Sequence, residues 1–354
     1  MASGFPYLLN INHKQSKKPP LRFRGDGTFR ILQLSDIHLV DPEMDDDEDR
    51  SIPLLNEART LEVLERSADL VQPDLAVLTG DVISGYWEEM TYGYLYKVIR
   101  KIVNVFETRG IPLAVTFGNH DSELNFHREI QMAMYLEYDK LYGTLNAKDM
   151  YGCGNCNLPI LSRDGSDRKK FNLWLFDSGD YVRDENAKIL EGYDYVHPDQ
   201  IAWYEKTAAA LRAENGGLPL PSIVFQHIPV QQEYDFIRTA DAPIEGESGY
   251  TDSDGKFHYL VGAKSGRLRE APCPPAGNHR EQFESWVRTG DVLAAFFGHD
   301  HVNDFVVEKD GILLVQTLCA GQWTYGKERG CRRIILHEDD PKHIETESIE
   351  ILPD

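Results

Sequence analysis

Short polar motifs built from histidine, aspartate and asparagine recur along this chain, and each directly follows an apolar run. In chain order they are Asp36-Ile37-His38, Gly80-Asp81, Gly118-Asn119-His120-Asp121, Gln226-His227 and Gly298-His299-Asp300-His301. Imidazole, carboxylate and amide groups suit divalent metals of hard to borderline character. One carboxylate can bridge two metals about 3.5–4 Å apart, and such a pair clamps both ends of a phosphoryl transfer. The five motifs together therefore indicate a two-metal site that acts on phosphate esters.

The apolar runs before these motifs have the length of buried strands, and segments with helical periodicity separate them. Strands that end at a motif are predicted at 29–34, 75–78, 113–117, 223–225 and 292–297, further strands at 171–176, 305–307, 312–317, 333–336 and 348–352, and helices at 58–70, 89–107, 129–141, 198–212 and 279–288. This alternation predicts an α/β layered core, in which ligand sites lie at the carboxyl ends of the strands. The closing strands predict a second, mostly antiparallel sheet packed on the first.

The charge balance limits the classes of ligand. The 354 residues carry a formal net charge of −21, and such a field repels nucleic-acid polymers, which leaves a small-molecule phosphate ester as the expected partner. No apolar run approaches the roughly 20 residues of a membrane-spanning helix, so no membrane association is expected. The first 20 residues contain no apolar signal segment, which favours a cytoplasmic location, although a trimmed signal would leave the same sequence.

The ordered series of motifs resembles the signature of the calcineurin-like metallophosphoesterases over roughly residues 28 to 340. The resemblance implies a four-layer double β-sandwich flanked by helices, an α/β (α+β) fold. It also implies a set of metal ligands: Asp36, His38 and His301 for one metal, Asn119, His227 and His299 for the other, and Asp81 as the bridge between them. The metals are two divalent ions, and manganese, iron and zinc all suit these ligands.

The same resemblance implies a mechanism. A hydroxide that bridges the two metals would attack phosphorus in line, without a covalent intermediate on the protein. His120 would lie beside the scissile phosphate as a proton donor or charge stabiliser, and Asp121 would orient it. The substrate can be a phosphomonoester or a phosphodiester, and the sequence does not decide between them. The alternative function is a catalytically inactive metal-binding scaffold that acts through protein contacts.

The segment after the last motif is similar to that of small stand-alone phosphoesterases related to purple acid phosphatases, in Val302-Asn303-Asp304-Phe305, Tyr325-Gly326-Lys327 and Arg332-Arg333. Purple enzymes carry an iron-binding tyrosine three residues after the bridging aspartate, where this chain has Ser84. They also have a non-ligand residue where this chain has His38. The resemblance therefore implies a colourless member of the group.

The domain organisation is predicted to be simple. Residues 1–27 are interpreted as an N-terminal arm, and 28–354 as a single domain with a cap-like insertion at about 232–277. The insertion is rich in Gly, Pro, Asp and Glu, and we expect it to cover the site and select the leaving group. The candidate substrate contacts are Tyr234 and Arg238 in the insertion and Trp323 and Tyr325 after the last motif; a solvated loop or ordinary core packing is the competing interpretation.

The five cysteines are an odd number, which argues against a full set of disulfides. Cys153-Gly-Asn-Cys156 has CxxC spacing without a second ligand pair. It is interpreted as structural, with a local disulfide or a thiol switch as the alternative. Cys273, Cys319 and Cys331 are expected to be core residues. The acidic run at 45–49 is interpreted as a solvated loop.

Overall fold

The structure is a computed structural model that describes residues 18–44, 51–85, 91–146, 150–184 and 188–353. The acidic run at 45–49 and most of the predicted N-terminal arm (1–17) lie outside these residues. The described part of the arm packs against the domain, because Leu21 and Phe23 are buried in its core. None of the described helices is long and apolar enough to cross a membrane.

Within the described residues the chain forms five α-helices and sixteen strands. The helices are α1 (Ser51–Val71), α2 (Tyr92–Glu107), α3 (Arg128–Tyr135), α4 (Pro198–Glu214) and α5 (Glu281–Thr289). The strands are β1 (Thr28–Leu34), β2 (Leu75–Thr79), β3 (Leu113–Thr116), β4 (Cys156–Leu161), β5 (Lys169–Leu175), β6 (Tyr181–Arg183), β7 (Ile189–Tyr193), β8 (Ser222–Phe225), β9 (Ile237–Ala240), β10 (Gly249–Thr251), β11 (Phe257–Leu260), β12 (Val292–Phe297), β13 (Val306–Lys309), β14 (Ile312–Gln316), β15 (Gly330–His337) and β16 (Glu345–Glu350).

Two large sheets form the centre of the fold. One has the order β16-β15-β1-β2-β3, and the other has the order β13-β14-β12-β8-β5-β4. Their facing surfaces share one apolar cluster, which includes Ile31 and Val77 from the first sheet and Leu173 and Phe296 from the second. Helices α1–α3 cover the outer face of the first sheet, and α4 and α5 cover that of the second. The predicted four-layer double sandwich is confirmed.

The prediction of a mostly antiparallel second sheet is wrong. The pairs β5–β8, β8–β12 and β12–β14 are parallel, and only β4 and β13 pair antiparallel with their neighbours. Helix α4 follows β5 in the chain and precedes β8, and α5 lies between β8 and β12; a helical crossover of this kind returns the chain in parallel. The last four strands are divided between the two large sheets: β13 and β14 belong to this sheet, and β15 and β16 belong to the other.

Helix α3 ends at Tyr135, before the predicted end at 141. The chain leaves the helix there because Leu141 forms a parallel bridge with Leu113 at the edge of β3. That pairing requires extended backbone, and helical periodicity alone did not reveal it.

The insertion at 232–277 is more ordered than the sequence indicates. It contains the small antiparallel sheet β10-β11-β9. Its apolar side chains Leu260 and Leu268 are buried in the core cluster that also contains α4 and α5. Burial of this apolar surface therefore draws much of the insertion against the second sheet and its helices.

Candidate metal centre

The parallel strands bring the five motifs to one edge of the sandwich. Strands β1, β2 and β3 run parallel in the first sheet, and β8 and β12 run parallel in the second. Their carboxyl ends meet there, and backbone hydrogen bonds join the loops that follow. The N–H of His38 donates to the carbonyl oxygen of Asp81 at 2.9 Å, and that of Gly298 donates to His227 at 3.1 Å.

All seven predicted ligand side chains lie together and are buried. Six of them form two groups in which the candidate ligand atoms lie within 4.8 Å of one another, namely Asp36, His38, Asp81 and His301, and Asp81, His227 and His299. Asp81 belongs to both groups. Its Oδ2 lies 3.7 Å from Nε2 of His38 and 3.1 Å from Nε2 of His227. Asn119 adjoins the second group, with Oδ1 at 3.2 Å from Nε2 of His227.

Several atoms of these side chains are buried without a hydrogen-bond partner. They are Oδ1 of Asp36, Oδ2 of Asp81, both ring nitrogens of His38 and Nε2 of His299. Buried polar atoms in proteins are otherwise almost always hydrogen-bonded, because an unpaired one costs about 1–3 kcal/mol. Two divalent cations would satisfy these atoms. The residues present therefore fit a two-metal site.

The backbone at this edge is strained in a way that orients the ligand candidates. Asp36, His38, Asp81 and His299 have φ of 51°, 45°, 48° and 77°, in the left-handed region. Each such residue costs of order 1–3 kcal/mol and persists only where the surroundings impose it. The neighbouring Gly298 has no room for a side chain, since a Cβ there would lie 1.8 Å from Oγ of Ser35 and 2.7 Å from Oδ2 of Asp36.

Two of the imidazoles are held by hydrogen bonds at Nδ1, the ring nitrogen that does not face the ligand groups. Nδ1 of His227 lies 2.8 Å from the carbonyl oxygen of Thr79. A carbonyl only accepts, so Nδ1 carries a proton, and Nε2 is the atom that can present a lone pair to the second group when the ring is neutral. Nδ1 of His301 hydrogen-bonds to the hydroxyl of Thr324, and its Nε2 lies 3.4 Å from Oδ1 of Asp36.

Burial and the two carboxylates shift the pKa values of the ligand candidates in different directions. Burial is the largest influence on His38 and His299 and lowers the pKa of each to about 3, so both are neutral. Burial also lowers the pKa of His227, but the carboxylates of Asp81 and Asp36 together outweigh it and raise that pKa to about 9. Burial raises the pKa of Asp81, but the surrounding histidines outweigh it and hold that pKa well below its ordinary value.

His120 lies beside the first group without belonging to it, with its ring 5.0 Å from that of His38. Its backbone N–H donates to Oδ1 of Asp81 at 2.8 Å. Its Nδ1 lies 2.6 Å from Oε2 of Glu123. Burial lowers the pKa of His120, but Asp81 and the hydrogen bond to Glu123 together raise it to about 9. His120 is therefore protonated near neutral pH in the metal-free protein.

The prediction that Asp121 orients His120 is wrong. The Asp121 carboxylate accepts hydrogen bonds from the backbone N–H groups of Val82, Ile83 and Gly118, at 3.1, 3.1 and 2.8 Å. It therefore joins the loops that carry Asp81 and Asn119. Glu123 orients the imidazole instead, because the short 3₁₀ turn His120–Ser122 carries the chain round so that residue 123 faces residue 120.

Replacement of Asp121 should therefore lower stability. In Asp121→Ala three buried backbone donors lose their acceptor, and we expect the free energy of unfolding to fall by at least about 2 kcal/mol. Asp121→Asn keeps one acceptor oxygen, so its free energy of unfolding should fall less. Chemical denaturation of the metal-free proteins measures both. An alanine variant as stable as the parent would contradict this bracing role.

Glu123 also connects His120 to Asn119. The hydroxyl of Tyr181 donates to Oε1 of Glu123 at 2.5 Å, and Nδ2 of Asn119 donates to that hydroxyl at 3.1 Å. This arrangement turns the carbonyl oxygen of Asn119 towards His227. Glu123 and Tyr181 were not predicted from the sequence. Glu123 could have been found from its spacing three residues after His120, whereas Tyr181 lies on the unpredicted strand β6.

Loss of the Glu123 carboxylate should impair hydrolysis without removing the metals. A glutamine keeps the size of the side chain but cannot stabilise a charged His120, and loss of such an orienting partner typically costs about 10–100-fold in activity. We expect Glu123→Gln to lower kcat in that range while two metals per chain are retained. Glu129→Gln, at an exposed glutamate on α3, is the matched control and should keep full activity. Loss of metal in Glu123→Gln would assign Glu123 to metal retention instead.

A cavity of about 510 Å³ opens on the two groups. Its lining combines ligand candidates with residues from β7, the insertion and the segment after β14: His38, Asp81, Asn119, His120, Tyr193, Cys273, His299, His301, Gln322, Trp323, Thr324 and Tyr325. Two of the four predicted substrate contacts, Trp323 and Tyr325, are therefore at the cavity. Tyr193 was missed because β7 was not predicted.

The other two predicted contacts do not reach the cavity. The hydroxyl of Tyr234 lies 3.4 and 3.5 Å from the oxygens of the Asp300 carboxylate, so this side chain packs beside the last motif. Arg238 is exposed and donates to the carbonyl oxygens of Asp235 and Ile237. Among the described residues of the insertion only Cys273 lines the cavity.

The cysteines correct one prediction and leave another open. Cys319 and Cys331 are buried, as expected, but Cys273 is only half-buried. All five cysteines lie in the described residues and all are free thiols. Cys153 and Cys156 are both buried, and burial raises the pKa of Cys156 to about 12, which fits the structural interpretation of the CxxC spacing.

Comparisons with known proteins agree with this geometry. A family profile described as "Calcineurin-like phosphoesterase" matches residues 29–303. The chain is 30% identical over 339 residues to "Probable inactive purple acid phosphatase 14" of Arabidopsis thaliana, covering 90% of this chain and 77% of that protein. It is 27% identical over 307 residues to "Phosphatase DCR2" of Saccharomyces cerevisiae, covering 85% of this chain and 49% of that protein. A solved dimetal phosphatase from Danio rerio has a TM-score of 0.58 at 13% identity, over 90% of this chain and 95% of that one, a likeness of fold.

Proposed function

Because the chain belongs to the calcineurin-like phosphoesterase family, we propose that it hydrolyses phosphate esters with two divalent metal ions. Asp36, His38 and His301 would hold one ion, Asn119, His227 and His299 would hold the other, and Asp81 would be shared by both. The observation that carries this proposal is the set of buried, unpartnered oxygen and nitrogen atoms on these side chains. The mixed nitrogen and oxygen ligands suit manganese, iron or zinc.

Bound there, the ions would supply an activated water and neutralise charge on the phosphoryl oxygens. The protein contributes His120, which lines the cavity beside the first group. A protonated imidazole at that place stabilises negative charge on the phosphoryl group and can give its proton to the leaving alkoxide. Glu123 keeps the ring oriented and, with Asp81, favours its protonated form.

A second candidate function is a metal-binding scaffold without activity, which is suggested by the word "inactive" in the name of the Arabidopsis relative. Such a protein would need the metal ligands but not His120 or its partner Glu123. This chain keeps both residues, in hydrogen-bonding contact beside the first group. Retention of this oriented imidazole favours the enzyme.

The test is to load metal-free protein with manganese, iron or zinc, and to measure metal content together with hydrolysis of 4-nitrophenyl phosphate and bis(4-nitrophenyl) phosphate. Turnover that requires about two metals per chain supports the enzyme. Two bound metals without turnover of either ester would support the scaffold. Failure to bind two metals would contradict both.

A further inference from the structure

The part of the cavity wall that the structure describes is aromatic and polar rather than basic. Among the described residues, no lysine or arginine lines it. The lining outside the ligand candidates and His120 consists of three aromatic side chains, Tyr193, Trp323 and Tyr325, and of the uncharged Cys273, Gln322 and Thr324. A site built for a phosphate dianion ordinarily adds guanidinium or ammonium groups, since these match its oxygens and its charge.

Several arginines do lie close to the segments that carry the site, but they are committed to protein acceptors. Arg128 donates to the carbonyl oxygens of Gly118 and Gly179, at 2.8 and 3.1 Å. Arg329 donates to the carbonyl oxygen of Thr324 at 2.9 Å. Arg269 and Arg332 are bound in the same way, to carbonyl oxygens of Val302 and of Gln316 and Asp304. These cations therefore hold the loops in place instead of facing a substrate.

The charges at the centre suit a singly charged phosphate. Two divalent cations carry four positive charges, of which the carboxylates of Asp36 and Asp81 and an attacking hydroxide would offset three. The single positive charge that remains on the metals and these anions matches the one negative charge of a phosphodiester, whereas a phosphomonoester carries two and would meet no lysine or arginine among the described residues of the wall.

The aromatic rings lie beside both ligand groups. Tyr325 stacks on His301 of the first group, with ring centroids 4.5 Å apart and planes inclined by 26°. Tyr193 meets His299 of the second group edge to face, at 4.2 Å and 89°. A phosphate bound between the groups would thus have an aromatic side chain near it on each side. Stacking of a flat ring on an aromatic side chain typically contributes about 1–3 kcal/mol to binding.

We infer, on the basis of the proposed function, that the preferred substrates are phosphodiesters with a flat ring on the ester group that stays on phosphorus, and that Tyr325 is a residue that selects them. Hydrolysis adds water across one P–O ester bond, with the hydroxide oxygen bound to phosphorus and a proton transferred to the departing alkoxide. The products are an alcohol and a phosphomonoester. The extra negative charge of that product is unmatched in the wall, which favours its release.

The first test compares three esters that share the same leaving group, 4-nitrophenol. For the metal-loaded protein we expect kcat/KM for phenyl 4-nitrophenyl phosphate to exceed that for ethyl 4-nitrophenyl phosphate by about tenfold, the effect of one stacked ring. It should also exceed that for 4-nitrophenyl phosphate by at least about tenfold. Higher kcat/KM for the monoester would overturn the inference while the proposed function stands. No turnover of any ester would overturn the proposed function itself.

A binding measurement separates these two failures, because it does not depend on turnover. Diphenylphosphinate and dimethylphosphinate are singly charged, have P–C bonds that are not hydrolysed, and differ in their flat rings; phenylphosphonate at about pH 8 carries the second charge. Calorimetric titration of the metal-loaded protein should give the lowest Kd for diphenylphosphinate. Equal or tighter binding of phenylphosphonate would contradict the inference even in a protein without activity.

The role of Tyr325 is tested by two substitutions at this exposed position, where the side chain is 53% accessible and its loss should not disturb folding. Tyr325→Leu should reduce the phenyl-to-ethyl ratio of kcat/KM to near one. Tyr325→Phe keeps the ring and should retain most of the ratio. A leucine variant with the parent's ratio would remove Tyr325 from substrate selection.

Discussion

Replacement of Asp81 by alanine is expected to abolish the pairing of the metals and to lower kcat/KM for phosphate ester hydrolysis by at least about a thousandfold. Asp81 is the only side chain shared by the two candidate ligand groups of the described residues. Its Oδ2 lies between the imidazoles of His38 and His227, and its Oδ1 accepts the backbone N–H of His120. The loss therefore exceeds the about 10²–10³-fold cost of one preorganised donor.

Metal analysis and kinetics on the same sample measure this effect. Asp81→Ala should hold at most one metal per chain, and Asp81→Asn, which keeps the shape but loses the charge, should bind the pair weakly. The matched control is Asp291→Asn. Asp291 is also buried, but it hydrogen-bonds to Trp174, Ser222 and Tyr204, outside both groups. The control should retain two metals, and an alanine variant at position 81 that also retains two would refute the bridging role.

His120→Ala is expected to separate catalysis from metal binding. The variant should still bind two metals, because His120 is in neither ligand group. It should lose about 10²–10³-fold in kcat, which corresponds to about 2.7–4 kcal/mol of transition-state stabilisation from one preorganised donor. Metal content and kcat with an aryl phosphodiester test both statements.

His127→Ala is the control for this substitution, since His127 is an exposed histidine just before α3. It should match the parent in metal content and in rate. Full turnover by His120→Ala would exclude the proposed role of the imidazole. Loss of metal from His120→Ala would instead indicate that its contact with the Asp81 loop is structural.

The sequence by itself determined the family, the layered α/β architecture and the seven ligand candidates. These features follow from local sequence patterns, because a buried strand is an apolar run and the polar residues that follow it lie at its carboxyl end. The order of Asp36, Asp81, Asn119, His227 and His299 after five such runs was sufficient to predict that they meet.

The prediction from sequence failed where two carboxylates lie close in the chain to one imidazole. Asp121 adjoins His120 in the chain, but its carboxylate satisfies three backbone donors, and Glu123 takes the imidazole. The choice follows from the direction in which the 3₁₀ turn points each side chain, which spacing alone does not specify. Tyr234 and Arg238 were predicted wrongly for a related reason. Tyr234 lies in the 3₁₀ helix Gln231–Phe236, with its hydroxyl near Asp300, and Arg238 lies on β9 of the small sheet; neither lines the cavity.

Only the tertiary structure decided how the closing strands divide between the sheets and what surrounds the two-metal centre. Pairing of a strand with one sheet or the other depends on hydrogen bonds and packing summed over distant segments, and no local pattern records that sum. The same holds for the aromatic wall of the cavity, to which β7 and the segment after β14 contribute residues far apart in the chain. The sequence therefore predicted the types of ligand at the candidate metal centre, and the packing of distant segments built the wall on which the proposed choice of ester depends.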